Sequence, residues 1–212
     1  MSFAAELASL LPPDLPHRDT VIASAARHLD LIVEINQVMN LTRITGPREA
    51  AIKHVLDSVL PWQLFQRAAT VADAGTGPGF PGIPLSLVLP AVRFTLLDAT
   101  QKKARFVQSV VDTLELPNVT VVPQRIEEWL HHNKVDIVTG RAVAPLAKAL
   151  LYFAPALKSG ARVLLYKGPD AETEIAEAAP EARKRRIAMK VIERYALPDA
   201  LGDRTIVELS RS

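Results

Sequence analysis

Asp73 is followed by Gly75, Gly77, Gly79 and Gly82, and the run Val71-Ala-Asp-Ala-Gly-Thr-Gly-Pro-Gly-Phe-Pro-Gly82 is the most chemically suggestive stretch of this chain. Glycine admits positive φ and lets a ligand approach where a Cβ would clash. Proline suits the first turn of a helix, where a missing N–H costs little. The pattern therefore predicts a strand, a tight ligand-binding turn and a helix start. A second acid, Asp98, ends the apolar run Arg93-Phe-Thr-Leu-Leu-Asp98 about one βα unit later. That is where a ribose-binding carboxylate stands in nucleotide-type α/β folds.

Gly77-x-Gly79-x-x-Gly82 also fits the dinucleotide fingerprint, so the ligand class has to be argued. Asp73 lies where a carboxylate can hold the ammonium of a methionine moiety, which a dinucleotide lacks. Pro78 and Pro81 remove backbone donors where a pyrophosphate would need N–H groups at a helix start. S-adenosylmethionine carries no phosphate and loses nothing by this. The expected ligand is therefore that methyl donor.

The elements that must position these residues follow from periodicity. Residues 2 to 67 read as helical, with Val21, Leu29, Ile32, Val33 and Ile35 near helical spacing. Turn residues interrupt them at Asn40–Pro47, and a helix over 48–67 is ended or kinked by Pro61. From about residue 69 strands and helices alternate. Strands are predicted at Thr70–Ala74, Arg93–Asp98, Val119–Val122, Val135–Thr139 and Ala161–Lys167. Helices are predicted over 81–89, 101–115, 124–132 and 145–158. Such alternation implies a mostly parallel sheet covered on both faces. Ala171–Arg186 reads as an exposed helix and linker. Lys190–Leu197 and Arg204–Leu209 are separated by too few residues for a helix, so they must pair antiparallel. The expected fold is α/β: a class I S-adenosylmethionine-dependent methyltransferase, Rossmann-like. Its sheet is seven-stranded and mostly parallel, with a C-terminal antiparallel hairpin. Residues 1–67 would form a helical extension packed on a core of residues 68–212.

Composition narrows the functional classes. Hydrophobic residues make up 49% of the 212, enough for an ordinary core. No apolar run reaches the roughly 18 residues of a membrane span. The N-terminal segment holds Glu6 and no basic region, so it does not read as a signal peptide. Cysteine is absent, which excludes disulfides and thiolate metal sites. The five histidines form no ligand cluster; His131 and His132 are adjacent and would point apart on a helix. A cytoplasmic, metal-free protein without a membrane partner is expected. The net charge of +2 gives no global basic field, although Lys102, Lys103 and Arg105 cluster, as do Arg183–Arg186.

The chain resembles one family over nearly its whole length, the bacterial 16S rRNA (guanine-N7) methyltransferases RsmG or GidB. The resemblance rests on Asn40-Leu-Thr-Arg-Ile44, His54-Val-Leu-Asp-Ser58, the extended glycine signature Asp73–Leu85, and Leu96-Leu-Asp98 with Lys102, Lys103, Arg105 and Phe106. It continues through Arg125-Ile-Glu127, Gly140-Arg-Ala142 and Tyr166-Lys-Gly168. Gly140 stands where the family commonly has serine, and Ala99-Thr100 replaces a more usual small pair. The resemblance implies methylation of N7 of one guanine in the 530 loop of 16S rRNA, within a small ribosomal subunit or assembly intermediate. It implies donor contacts from Gly75, Phe80, Ile126, Glu127 and Arg141, beside Asp73, Gly77, Gly79 and Asp98 read from the loop itself. A monomer is expected.

N7 of guanine is a lone pair in the ring plane and carries no proton, so no general base is assigned. Arg141 follows a strand at the ligand side of the sheet, where it meets the donor carboxylate, a phosphate or O6 of the acceptor, or serves as a structural tie. Lys167 is a second candidate for acceptor or phosphate contact. RNA-binding candidates are Asn40, Thr42, His54, Lys102, Lys103, Lys167 and Arg204. His54 and Asp57 share a helix face, and either RNA or the core is their partner. Asp98 and Glu127 have alternative readings as a helix cap and an exposed first-turn acid. Rival functions are a methyltransferase for a small molecule or another RNA, a non-catalytic RNA-binding protein, and an NAD-dependent oxidoreductase.

Overall fold

The computed structural model describes residues 1–211. Helices α1 (Phe3–Leu10) and α2 (Arg18–Asn36) open the chain, separated by a proline-rich turn. Helix α3 (Pro47–Ala50) runs without a break through a π-helical stretch (Ala51–Leu56) into α4 (Asp57–Val59). This helix ends at Val59 and does not reach residue 67, because Pro61 has no N–H to continue it. A 3-10 turn (Trp62–Leu64) leads on into the sheet.

The strands are β1 (Thr70–Ala74), β2 (Arg93–Leu97), β3 (Val119–Val122), β4 (Ile137–Arg141), β5 (Arg162–Lys167), β6 (Ile187–Ala196) and β7 (Asp203–Arg211). They form one sheet in the order β3-β2-β1-β4-β5-β7-β6. β1 to β5 pair in parallel, and β7 pairs antiparallel with both β5 and β6. The expected alternation and closing hairpin are both present, and the hairpin is longer than its apolar runs suggested. β4 lies two residues further along than Val135–Thr139, which carries Arg141 into the strand. Asp136 instead accepts from the N–H groups of Ala69 and Thr70 and anchors the strand's entry.

The crossover helices are α5 (Gly82–Val88), α6 (Gln101–Thr113), α7 (Ile126–Trp129), α8 (Leu146–Tyr152), α9 (Ala154–Lys158) and α10 (Ala171–Arg185). The helix expected over 124–132 is only four residues long, and that over 145–158 is divided at Phe153. Residues 171–186 are one helix almost to the end, with Ala171, Ala178 and Ala182 buried.

Period-two alternation assigns the two faces of the sheet. Val71, Phe94, Leu96, Ile137, Leu164 and Ile206 face the N-terminal helices, α5 and α6. Ala72, Ala74, Leu97, Val138, Val163 and Val207 face α8, α9 and α10. The N-terminal helices share the first of these cores: Leu7, Val21, Leu29, Ile32 and Val55 are all essentially inaccessible. Burial of each such aliphatic side chain contributes about 1.5–3 kcal/mol. Arg48 adds a polar tie, pairing with Glu6 of α1 and with Asp199 in the turn between β6 and β7. Among the described residues, no helix is long and apolar enough to cross a membrane.

Candidate active site

At the C-terminal edge of the sheet, the loop after β1 is built around one carboxylate. Asp73 has no exposed surface; its Oδ2 accepts from Thr76 Oγ1 at 2.6 Å and from the Gly82 N–H at 2.9 Å. The loop is thus drawn down onto the strand that launches it. Burial pushes the Asp73 carboxyl up to about 6, with the two donated hydrogen bonds opposing. Its Oδ1 is buried without a partner. Gly82 starts α5 so close to the sheet that a Cβ would collide with Leu96 and stand 2.8 Å from Asp73 Oδ2. Gly79, at φ +107°, is equally confined: a Cβ there would lie 2.5 Å from Ile83 Cδ1 and 3.1 Å from His28 Cε1.

Asp98 completes this half of the site. Its Oδ1 accepts from the Thr100 N–H at 2.8 Å, closing the turn before α6, and its Oδ2 accepts from the Gly77 N–H at 3.1 Å. The N-cap of α6 is Thr100, so Asp98 does not take the helix-cap role that was one of its two sequence readings. Gly75 is exposed, and a Cβ on it would meet nothing within 4 Å, so space lies open above the turn. Ile126 is buried and Glu127 half-buried at the start of α7.

The second half is a cleft of about 640 Å³ between the 47–59 helix and the loop after β4. Lys53, His54, Asp57, Arg141, Lys167 and Arg204 line it. Asp57 is wholly buried at its back. Asp57 Oδ2 accepts from Arg141 Nη1 and Arg204 Nε, each at 3.2 Å, and Oδ1 accepts from the Tyr195 hydroxyl at 3.0 Å. Arg141 also donates to the Lys53 carbonyl at 2.5 Å and reaches His54 Nδ1 at 3.4 Å. Lys167 donates at 2.7 Å to both Glu174 and the Ala144 carbonyl. Ala142, next to Arg141, has φ +55°, a strained conformation for a residue with a side chain.

An aromatic column joins the two halves. His28 and His54 each stack on Phe80 with ring centroids 4.7 Å apart, and the Arg141 guanidinium lies 5.6 Å from the Phe80 centroid. Burial lowers His54 to about 3, with Arg141 opposing its charge. Its ring is therefore neutral, with Nδ1 accepting from Arg141 and Nε2–H donating to Thr42 Oγ1 at 3.3 Å.

Among the residues singled out from the sequence, the fold brings His54, Arg141, Lys167 and Arg204 into one cleft. It brings Asp73, Gly77 and Asp98 into one loop network. Thr42 reaches the cleft only through His54, and Asn40 is exposed beyond it. Lys102 and Lys103 sit on the first turn of α6, outside the cleft lining. Trp62 and Trp129 pack against the two cores. Partners not singled out from the sequence include Lys53, Glu174, His28, Tyr195 and Asn36, whose amide clamps the 41–42 turn. Asn36 carried a signal, an amide just before a turn-rich segment. His28 and Tyr195 carried none, because their partners are remote in the chain. Among the described residues, no cluster of three His, Cys, Asp or Glu could hold a metal.

Residues 21–205 match the family described as rRNA small subunit methyltransferase G. A ribosomal RNA small subunit methyltransferase G from Solibacter usitatus (strain Ellin6076) is 68% identical over 209 residues, covering 99% of this chain and all of the relative. The same-named protein of Carboxydothermus hydrogenoformans is 37% identical, covering 85% of this chain and 79% of the relative. Among solved structures, an O-methyltransferase from Bacillus cereus in complex with SAH superposes with a TM-score of 0.59 at 18% identity, covering 87% of this chain and 91% of that one. With the strand order, that likeness makes the fold a class I methyltransferase fold.

Proposed function

The chain belongs to the rRNA small subunit methyltransferase G family, and from that membership we propose that it methylates N7 of one guanine in the 530 loop of 16S rRNA, with S-adenosylmethionine as donor. In this reading residues 1–67 are a helical extension on a 68–212 core. The enzyme acts in the cytoplasm as a monomer, on rRNA within a small subunit or assembly intermediate, and without a metal.

The residues present suit such a donor. A nucleoside without phosphates needs a carboxylate for its sugar hydroxyls and an apolar wall for its base. Asp98 keeps lone pairs beyond the two it uses, and buried Ile126 stands with Glu127 at the start of α7. The open volume over Gly75 leaves room for the sugar-to-methionine chain. Asp73 supports the loop from beneath, so any attraction for a donor ammonium comes through its unpartnered Oδ1. When bound, the donor supplies a sulfonium-activated methyl group to an in-line nucleophile. Positioning then provides most of the acceleration.

The observation that carries the choice of acceptor atom is that the acids lining the cleft are already ion-paired. Asp57 accepts through both oxygens from Arg141, Arg204 and Tyr195; Glu174 is paired through Oε2 with Lys167 and takes the Leu146 N–H on that same oxygen. His54 has both ring nitrogens occupied. A hydroxyl or amine acceptor would need one of these groups free to take its proton, whereas N7 has no proton to lose. Lys53, Arg141, Lys167 and Arg204 give the cleft a cationic wall suited to RNA phosphates or to guanine O6.

The test is tritiated methyl transfer into small subunits lacking the modification, followed by nucleoside analysis. The expected product is 7-methylguanosine at a single position in the 530 loop. Label on adenine or cytosine, or no label, would overturn the proposal.

A further inference from the structure

We propose that His28, on α2, is a positioning residue for the donor-binding loop, so that the N-terminal extension forms part of the donor site. The inference rests on the donor reading of that loop and adds to it a residue outside every motif recognised in the sequence.

Three consecutive loop residues bear on this one side chain. His28 Nε2 is 2.7 Å from the Pro78 carbonyl oxygen. The Gly79 backbone comes so close that an added Cβ would stand 3.1 Å from His28 Cε1. The Phe80 ring stacks on the imidazole at 4.7 Å and an interplanar angle of 26°. Phe106 backs the imidazole from further away, with centroids 6.5 Å apart. His28 has no exposed surface, so this geometry cannot relax into solvent.

The tautomer follows from the contacts. A carbonyl can only accept, so Nε2 carries the hydrogen and Nδ1 presents a bare lone pair. That lone pair is buried without a partner. An unsatisfied buried nitrogen costs stability, and a phenyl ring in the same slot would avoid that cost and keep the stack, but would leave the Pro78 carbonyl without its donor. What phenylalanine cannot do is donate to Pro78. That carbonyl sits between Gly77, which donates to Asp98, and Phe80, which reaches His54 on the acceptor side. Fixing it fixes the path of the loop through the donor half of the site.

Two variants separate hydrogen bond from packing. His28→Phe keeps the stack and removes the donor. His28→Gln returns a donor at the reach of Nε2 and gives up the stack. Calorimetric titration with S-adenosylhomocysteine, thermal melting, and KM for small subunits are measured on each. His28→Phe exchanges the orphaned Nδ1 for an undonated Pro78 carbonyl, so it should melt within roughly a few degrees of wild type and bind the probe about three- to tenfold more weakly, as for loss of one hydrogen bond. Its KM for subunits should be unchanged, and His28→Gln should bind within about twofold of wild type. Wild-type affinity in His28→Phe would overturn the inference, as would equal weakening in both variants. If wild-type protein itself fails to bind the probe, the donor reading falls instead.

Discussion

Asp57 Oδ2 and Arg141 Nη1 stand 3.2 Å apart, although 84 positions separate the two residues in the chain. That contact fastens the 47–59 helix to the end of β4, and Arg204 joins it through the same oxygen. Because Asp57 is fully buried, these partners stand in for the water it does not meet. Breaking a buried pair from one side costs about 3–5 kcal/mol. Arg141 and Arg204 remain about one-fifth exposed, so solvent offsets part of that loss. Asp57→Asn should therefore destabilise the protein by about 2–4 kcal/mol, lowering the melting temperature by about 5–12 °C for a chain of this size. The KM for small subunits should rise more than the KM for donor, since the loosened arginines line the cleft proposed to receive RNA. Melting curves with steady-state kinetics check both, and an unchanged melting temperature would mean that the pair holds nothing together.

The histidine column predicts acid sensitivity. Burial lowers His28 to about 4 and His54 to about 3. The unfolded chain takes up protons on these groups near pH 6.5, so stability is lost as pH falls below that value. Asp73 works in the opposite sense. Its folded value is raised to about 6, so the cost of burying its charge is relieved as pH falls from 6 toward 3.8. The two histidine shifts together exceed the single carboxyl shift. The net expectation is a loss on the order of 3–5 kcal/mol between pH 7 and pH 4. Urea midpoints should fall across this range, and His54→Gln should shrink the fall. A midpoint that rises on acidification would show Asp73 to be dominant.

Gly82→Ala tests the close seating of α5 on the sheet. The added methyl would collide with Leu96 and crowd Asp73 Oδ2, both buried. Overpacking of this kind costs about 1–3 kcal/mol. The same displacement would pull the Gly82 N–H off Asp73, so donor affinity should fall together with stability. Calorimetry and melting on one preparation read both, and wild-type donor affinity would separate the helix start from the site.

Gly140 carries the residue difference noted beside the family pattern. A Cβ there would stand 2.5 Å from Val143 Cγ2 and 3.0 Å from the Ala74 carbonyl. Gly140→Ser alone should cost about 1–3 kcal/mol. Adding Val143→Ala should recover part of that cost, because it removes the nearer obstacle. Additive losses in the two-mutant cycle would place the strain on the Ala74 carbonyl instead.

Local chemistry made much of this readable in advance. Thr70–Ala74 and Val119–Val122 are strands with the bounds the apolar runs indicated, since short runs between turn residues leave little alternative. The glycine loop was readable because positive φ at Gly75 and Gly79 restricts which residues can occupy it. Asp73 was visible as a loop acid, but not that its Oδ2 is taken up by Thr76 and the Gly82 N–H, leaving only Oδ1 unpartnered. The region 124–132 misled because four helical residues are too few to establish a period.

The amino-acid sequence by itself determined the alternation of elements, the antiparallel close of the sheet and the family, because each is set by neighbours within a turn, a strand or a motif. Tertiary structure alone decided that Asp57 gathers Arg141, Tyr195 and Arg204, and that His28 meets the loop at Pro78 from 50 positions away. The physical reason is that a buried charge or an imidazole takes whichever partner the fold delivers. No spacing along the chain encodes a contact made across the sheet edge between the first helices and the last hairpin.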